Sequence, residues 1–263
     1  MSLVAERVAV TYAGSRGDVV ALDDIDLAIG KSEFVSIIGP SGCGKSTLLH
    51  CLGGLLKPSA GSITFDGSPL RTPDPTKAAF VFQDYSLLPW KSVVDNAAIG
   101  LRFARVDKRT RREKALALLR LVGLEQFAGT FPHELSGGMQ QRVAVARAMA
   151  MDPEVLLLDE PFGALDEQTR RDLGYEMSRL LTQQGKSIAM VTHSLDESIF
   201  WADRIVVMSA RPGRILLELA VDEPRPRELS FIATPEFAAL RARLFDVLTE
   251  GTENGSAVTE GSR

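Results

Sequence analysis

Apolar and polar residues alternate through Val8, Val10 and Tyr12, and the runs 21–29 and 33–38 continue the strand pattern between glycine-containing turns. Residues 45–52 then space their apolar side chains as a helix does. Residues 61–67 form a short strand between glycines, and 78–82 another that ends at Gln83. From 93 to 150 the period is helical throughout, with Val143, Ala146, Arg147 and Ala150 on one side of a helix beginning near Gly138. Strand character returns at 155–158, 187–191 and 204–208, separated by helix-like stretches such as 168–184. This order predicts a β-rich entry, a helical insert over about 88–152, and an α/β parallel sheet wrapped by helices. Ligands of such a sheet bind at the carboxyl ends of its strands. The pattern supports one domain over 1–250, and 251–263, small and polar, reads as a flexible tail.

Composition narrows the partners. The 263 residues include 30 basic and 34 acidic side chains, a net charge of −4, with no Lys/Arg block long enough to serve as a nucleic-acid arm. The densest basic stretch, 108–114, leads into a helix whose Ala115, Leu118, Leu119 and Val122 share a face, so it reads as a solvated helix start. No run approaches the ~18 apolar residues of a spanning helix, and the first residues lack a basic-then-apolar signal pattern. A cytosolic chain is expected. Its two cysteines, Cys43 and Cys51, lie eight residues apart on the expected loop and helix, about 12 Å along the axis and too far for a disulfide. With no His or Cys companions at ligand spacing they form no zinc site. Alkylation of Cys43 is expected to inhibit, and bound nucleotide to protect it.

The chemistry begins at Gly39-Pro-Ser-Gly-Cys-Gly-Lys-Ser46, which fits G-x-x-x-x-G-K-[ST] between a strand and a helix. Glycines 39, 42 and 44 permit a tight turn that aims successive amides and the helix N-terminus at phosphate oxygens. Gly39, Pro40, Ser41, Gly42, Cys43, Gly44, Lys45, Ser46 and Thr47 are therefore candidate nucleotide-binding residues, with Lys45 a point charge for the β and γ phosphates. Ser46 offers a neutral hydroxyl to Mg²⁺. A second acidic feature follows: 155–158 is an apolar strand ending in Asp159 and Glu160, carboxylates that are costly there unless a cation is near. Asp159 is the candidate metal ligand, and Glu160 the base for the water that attacks the γ-phosphate.

Leu135-Ser-Gly-Gly-Met-Gln140 makes the resemblance specific: the chain resembles ABC-type ATPases over residues 3–250, nearly its whole length. Ser136, Gly137 and Gly138 offer a hydroxyl and unhindered amides at a helix start. In the family this signature completes the nucleotide site of an opposing subunit, implying a head-to-tail homodimer with two sandwiched ATP molecules. The resemblance further implies that Tyr12 stacks on adenine, that Gln83 touches Mg²⁺ or the lytic water, and that Asp166, in Ala164-Leu-Asp166, lies in a loop crossing the dimer interface. It implies too that His193, in Val-Thr-His, contacts the γ-phosphate. The implied fold is a RecA-like P-loop core with an N-terminal antiparallel β-subdomain and an inserted α-helical subdomain.

Within the family the chain resembles import ATPases for nitrate, sulfonates, taurine and similar anions. The residues that carry this are Leu87-Leu-Pro-Trp90, LSGGMQQR over 135–142, the run 202–214 ending Ser-Ala-Arg-Pro-Gly-Arg214, Pro224-Arg-Pro-Arg227 and the amphipathic stretch 237–248. Cys51-Leu-Gly-Gly54 and Lys31-Ser-Glu33 depart from the usual pattern without touching a site residue. The implied partners are a second copy, integral permease subunits docking near Leu87, Leu88, Pro89 and Trp90 at the cytoplasmic face of the inner membrane, and, indirectly, an extracytoplasmic solute-binding protein. The same motor chemistry would serve lipid trafficking or export. A soluble ABC ATPase of DNA repair or translation would carry coiled-coil inserts, paired cassettes or basic linkers, which this sequence lacks.

Overall fold

The structure, a computed structural model, describes residues 3–15, 17–163 and 167–257. In chain order they form β1 (Leu3–Tyr12), β2 (Val19–Ile29), β3 (Phe34–Ile38), α1 (Lys45–Leu52), β4 (Ala60–Phe65), β5 (Ser68–Pro69) and β6 (Ala78–Val81). Helices α2 (Val93–Ala97), α3 (Ile99–Phe103), α4 (Lys108–Leu121) and α5 (Gly137–Met149) follow. The chain continues as β7 (Val155–Asp159), α6 (Glu167–Gln183), β8 (Ser187–Val191), α7 (Leu195–Trp201), β9 (Arg204–Met208), β10 (Ile215–Ala220) and α8 (Pro235–Ala257). These elements divide into two compact units, Met1–Pro73 with Ser178–Arg263, and Asp74–Met177.

In the first unit β1 pairs antiparallel with β2 and β4, setting Leu3 opposite both Ile29 and Phe65. Asp66 and Gly67, both at positive φ, close the two-residue hairpin between β4 and β5, the turn that matches strand twist. The other strands of this unit are mainly parallel: β3 lies between β8 and β9, pairing Val35 with Ala189 and Ser36 with Ile205, while β10 runs antiparallel to β9. Every residue of β3 and β8 is buried, which explains sequences that are apolar except for Ser36 and Ser187. Two arginines from 224–227 staple this unit from inside. Arg225 forks onto both carboxylate oxygens of Asp203 at 2.8 and 2.7 Å and reaches Thr182 Oγ1 at 3.0 Å. Fully buried Arg227 donates to the carbonyls of Ile199, Phe200 and Ala202 at 2.8–3.0 Å, satisfying the end of α7. Burial pushes its guanidinium down to about 10, so it remains a cation at neutral pH.

In the second unit β6 and β7 pair in parallel, Val81 opposite Leu158, and α2 packs on α4 and α5. The segment 93–150, expected to be helical throughout, is broken where its chemistry dictates. Arg105 and Gly123 turn at positive φ, and Asp107 restarts the chain as α4 by accepting from the amides of Arg109 and Thr110. Helix α5 begins at Gly137, its cap Ser136 accepting from the Met139 amide at 3.4 Å. Two elements of the first unit were not expected from periodicity: the β10 strand, and the continuation of α8 through Gly251 to Ala257.

One buried amide organises a surface loop of the second unit. Asn96, fully buried in α2, accepts from the Leu88 amide at 2.8 Å and donates to the carbonyls of Leu88, Lys91 and Ser92 at 3.0–3.1 Å. This fixes 88–92 and leaves Trp90 69% exposed. Asn96→Ala is expected to destabilise the protein by about 1–3 kcal/mol through the loop groups it leaves unpaired. A lower urea midpoint would register it; an unchanged midpoint would show that the loop is held by something else.

Candidate functional site

The phosphate loop leaves β3 at Ile38 and enters α1 at Lys45. Gly42 and Gly44 adopt φ of 75° and 104°, left-handed values that favour glycine. At Gly44 a Cβ would also lie 2.8 Å from the Ala21 carbonyl oxygen, so the loop can rest on β2 only with glycine there. The Leu48 amide donates to the Gly44 carbonyl at 2.8 Å and starts α1 directly beneath the loop. Lys45 is 7% exposed, and its Nζ donates to the carbonyls of Gly39 and Pro40 at 2.8 and 2.9 Å. The cation is thus held on the loop itself, where a phosphate needs it. Ser46 is exposed on the first turn of α1.

The same unit brings two further candidates to this loop or its strand. Tyr12, 45% exposed at the end of β1, places its hydroxyl 3.3 Å from Thr47 Oγ1. The aromatic expected to face the base is therefore tied to the phosphate helix. His193 is exposed in the turn from β8 to α7. That turn is anchored at its start, where the Thr192 amide donates to the Ile37 carbonyl at 3.2 Å. Thr192 Oγ1 donates to Glu197 at 2.6 Å and accepts from the Ser194 amide at 3.1 Å, while the Ser194 hydroxyl caps α7.

The second unit holds the acids. Asp159 ends β7 at 8% exposure. Glu160 follows at φ 44°, a left-handed conformation that costs energy in a non-glycine residue. Gln83 donates to Glu160 Oε2 at 3.3 Å, so the two residues expected to handle the lytic water meet. Arg147 holds this region to α5, donating to the carbonyls of Tyr85 and Ser86 at 2.6 and 2.5 Å. Burial pulls its guanidinium below its ordinary value, with Asp84 acting in the opposite sense. In the sequence Arg147 stands out only as an arginine among apolar positions on one helix face. Ser136 and Gly138 line a cavity of about 390 Å³ together with Met139, Arg142, Asp172 and Glu176. Asp166 lies outside the described residues.

A glycine loop between a buried strand and a helix, with a lysine folded onto it, is a cradle for nucleotide phosphates, and a strained glutamate held by a glutamine suits water activation. These features define a P-loop nucleotide hydrolase. The family model for ABC transporters matches residues 22–163. The chain is 45% identical over 252 residues to the taurine import ATP-binding protein TauB of Rhizobium johnstonii, covering 94% of this chain and 96% of that protein. It is 43% identical over 246 residues to the nitrate import ATP-binding protein NrtD of Synechococcus elongatus, covering 92% and 89%. A dimeric structure of the ATP-binding cassette MJ0796, in a post-hydrolysis state bound to ADP and phosphate, matches with a TM-score of 0.74 and 34% identity, covering 84% of this chain and all of that one. The chain belongs to the ABC transporter family. It carries the ATP-binding, ATP-hydrolysing domain of that family.

Both thiols are sheltered. Cys43 is 1% exposed, and burial raises its thiol above the ordinary value while the charge of Lys45 pulls it back; burial takes Cys51 up to about 11. Only the thiolate reacts. Near pH 8 both cysteines of the folded chain are therefore expected to label with iodoacetamide much more slowly than in urea, and Cys43 more slowly still with ATP bound. Labelling of Cys43 at the unfolded rate would contradict this packing.

Proposed function

We propose that this chain powers an importer for a small anion, namely taurine, an alkanesulfonate or nitrate. It works as a pair of copies at the cytoplasmic face of the inner membrane, docked on integral permease subunits that receive cargo from an extracytoplasmic solute-binding protein. The observation that carries the reading is the near-full-length likeness to proteins named for taurine and nitrate import. Among the described residues no helix is long and apolar enough to cross a membrane, which suits a subunit that depends on others for the membrane path.

In this reading the amides of residues 39–47 and Lys45 hold the phosphates, and Tyr12 stacks on the base. Ser46, Gln83 and Asp159 are hard oxygen donors, the type Mg²⁺ takes alongside phosphate oxygens. Bound there, the ion would neutralise phosphate charge, with phosphate oxygens completing the set. Glu160 takes the proton of the attacking water, oriented by Gln83, and His193 donates toward the γ-phosphate. The signature residues Ser136, Gly137 and Gly138, with Asp166, serve the nucleotide of the other copy. Closing the pair around ATP requires that the closed state bind nucleotide more tightly than the open one, and hydrolysis removes that difference.

Force leaves through Leu87, Leu88, Pro89 and Trp90. A large aromatic held out on a loop that Asn96 fixes from beneath is the kind of anchor that fills a partner's pocket. Cells lacking the gene are expected to lose uptake of one of labelled taurine, alkanesulfonate or nitrate. The wild-type gene restores it; Trp90→Ala, with soluble ATPase activity intact, does not. Normal uptake of all three substrates would overturn the anion assignment, and full rescue by Trp90→Ala would remove the docking role.

A further inference from the structure

We infer that Arg211 is a positioning residue for the phosphate loop: it latches one peptide unit so that consecutive amides face the nucleotide. The inference rests on the ATPase assignment and is independent of the cargo.

Residues 209–214 form the turn between β9 and β10. The Ser209 hydroxyl stiffens it, lying 2.9 Å from the carbonyls of Ala210 and Pro212 and accepting from the Arg214 amide at 2.9 Å. The turn is sewn to β2, since the Gly213 amide donates to the Ala21 carbonyl at 2.9 Å and its carbonyl accepts from the Asp23 amide at 3.0 Å. An ion pair between Arg214 and Asp23 closes the same seam. From this platform the turn meets the phosphate loop at two successive carbonyls. Arg211 Nη2 donates to the Gly42 oxygen at 3.1 Å. A Cβ on Gly213 would lie 2.1 Å from the Cys43 oxygen, so the carbonyl packs directly on the bare α-carbon.

Within one trans peptide unit the carbonyl and the next amide point in opposite directions. With the Gly42 and Cys43 carbonyls turned to the 209–214 turn, the amides of Cys43 and Gly44 must face away from it, into the loop. The Cys43 amide does so, donating to the Pro40 carbonyl across the loop at 3.3 Å. Consecutive amides on one side are what makes an anion nest. Gly42 and Gly44, which permit the loop's turn, also rotate most easily, so the peptide between Gly42 and Cys43 keeps its orientation only through the bonds at its two ends, Cys43 to Pro40 inside the loop and Arg211 to Gly42 outside it. Arg211 supplies the stronger of the two, a charge-assisted bond to the carbonyl. Because the β-phosphate is common to ATP and ADP, both nucleotides gain.

Arg211 is exposed, so replacing it opens no cavity. In the full-length protein, Arg211→Ala is expected to raise KM for ATP and Kd for ADP together by about tenfold, the order expected for one charge-assisted bond, with kcat much less affected. Arg211→Lys should recover most of the loss. The loss should persist between about 0.1 and about 1 M salt, where screening falls from roughly 10 to 3 Å. Unchanged affinity, a loss confined to ATP, a loss that vanishes at high salt, or a fall in kcat alone would each overturn the latch.

Discussion

The phosphate loop can exist only because backbone is allowed to touch backbone. Gly44 lies against the Ala21 carbonyl and Gly213 against the Cys43 carbonyl, at distances where any side chain would collide. Four pieces of the first unit converge on this packing: the end of β3, the start of α1, the first residues of β2 and the turn after β9. The sheet supplies rigidity through strands buried along their whole length. The loop turns that rigidity into a fixed set of amides, and Lys45, drawn onto the carbonyls of Gly39 and Pro40, adds the charge. Neighbouring functions borrow the same scaffold: Tyr12 is joined to α1 through Thr47, and the turn bearing His193 starts from a hydrogen bond to Ile37.

The second unit relies on polar side chains, of which Asn96 is fully buried. Gln83 and Glu160 meet directly, Arg147 reaches from the signature helix to the carbonyls just beyond Gln83, and Asn96 pins the following loop. Arg147 ties α5 to the segment that follows Gln83 through bonds of 2.5 and 2.6 Å. The exposed face of that same chain segment presents Trp90. The proposed catalytic residues, the signature helix and the proposed docking loop thus lie within one unit, tied by Gln83, Glu160, Arg147 and Asn96.

Elements with mostly apolar runs or a motif at their edge were legible in the sequence: β3, β7, β8 and α1 start or stop within a residue of where periodicity and the glycine loop set them. The breaks within 93–150 were less so, because positive φ at Arg105 carries no sequence mark and the cap at Asp107 is one acid among many. Strand β10 was hidden by its half-buried pattern, in which Glu218 serves an ion pair with Arg204. The candidate site residues were legible as types and spacings, since phosphate chemistry demands glycine, lysine and carboxylate in that order. Their supports were not: Arg147, Arg211, Arg225 and Arg227 look like surface charges in a string of letters, and only the fold shows their guanidinium groups paired with carbonyls and carboxylates.

The most direct test of the site is hydrolysis by the purified protein carrying Glu160→Gln, measured beside the wild type with bound nucleotide and solution mass read on the same samples. Loss of the base should lower turnover at least about a hundredfold. ATP should stay bound and the mass should rise to that of two copies. Turnover at the wild-type rate would contradict the assignment of Glu160 and, with it, the chemistry derived for this site.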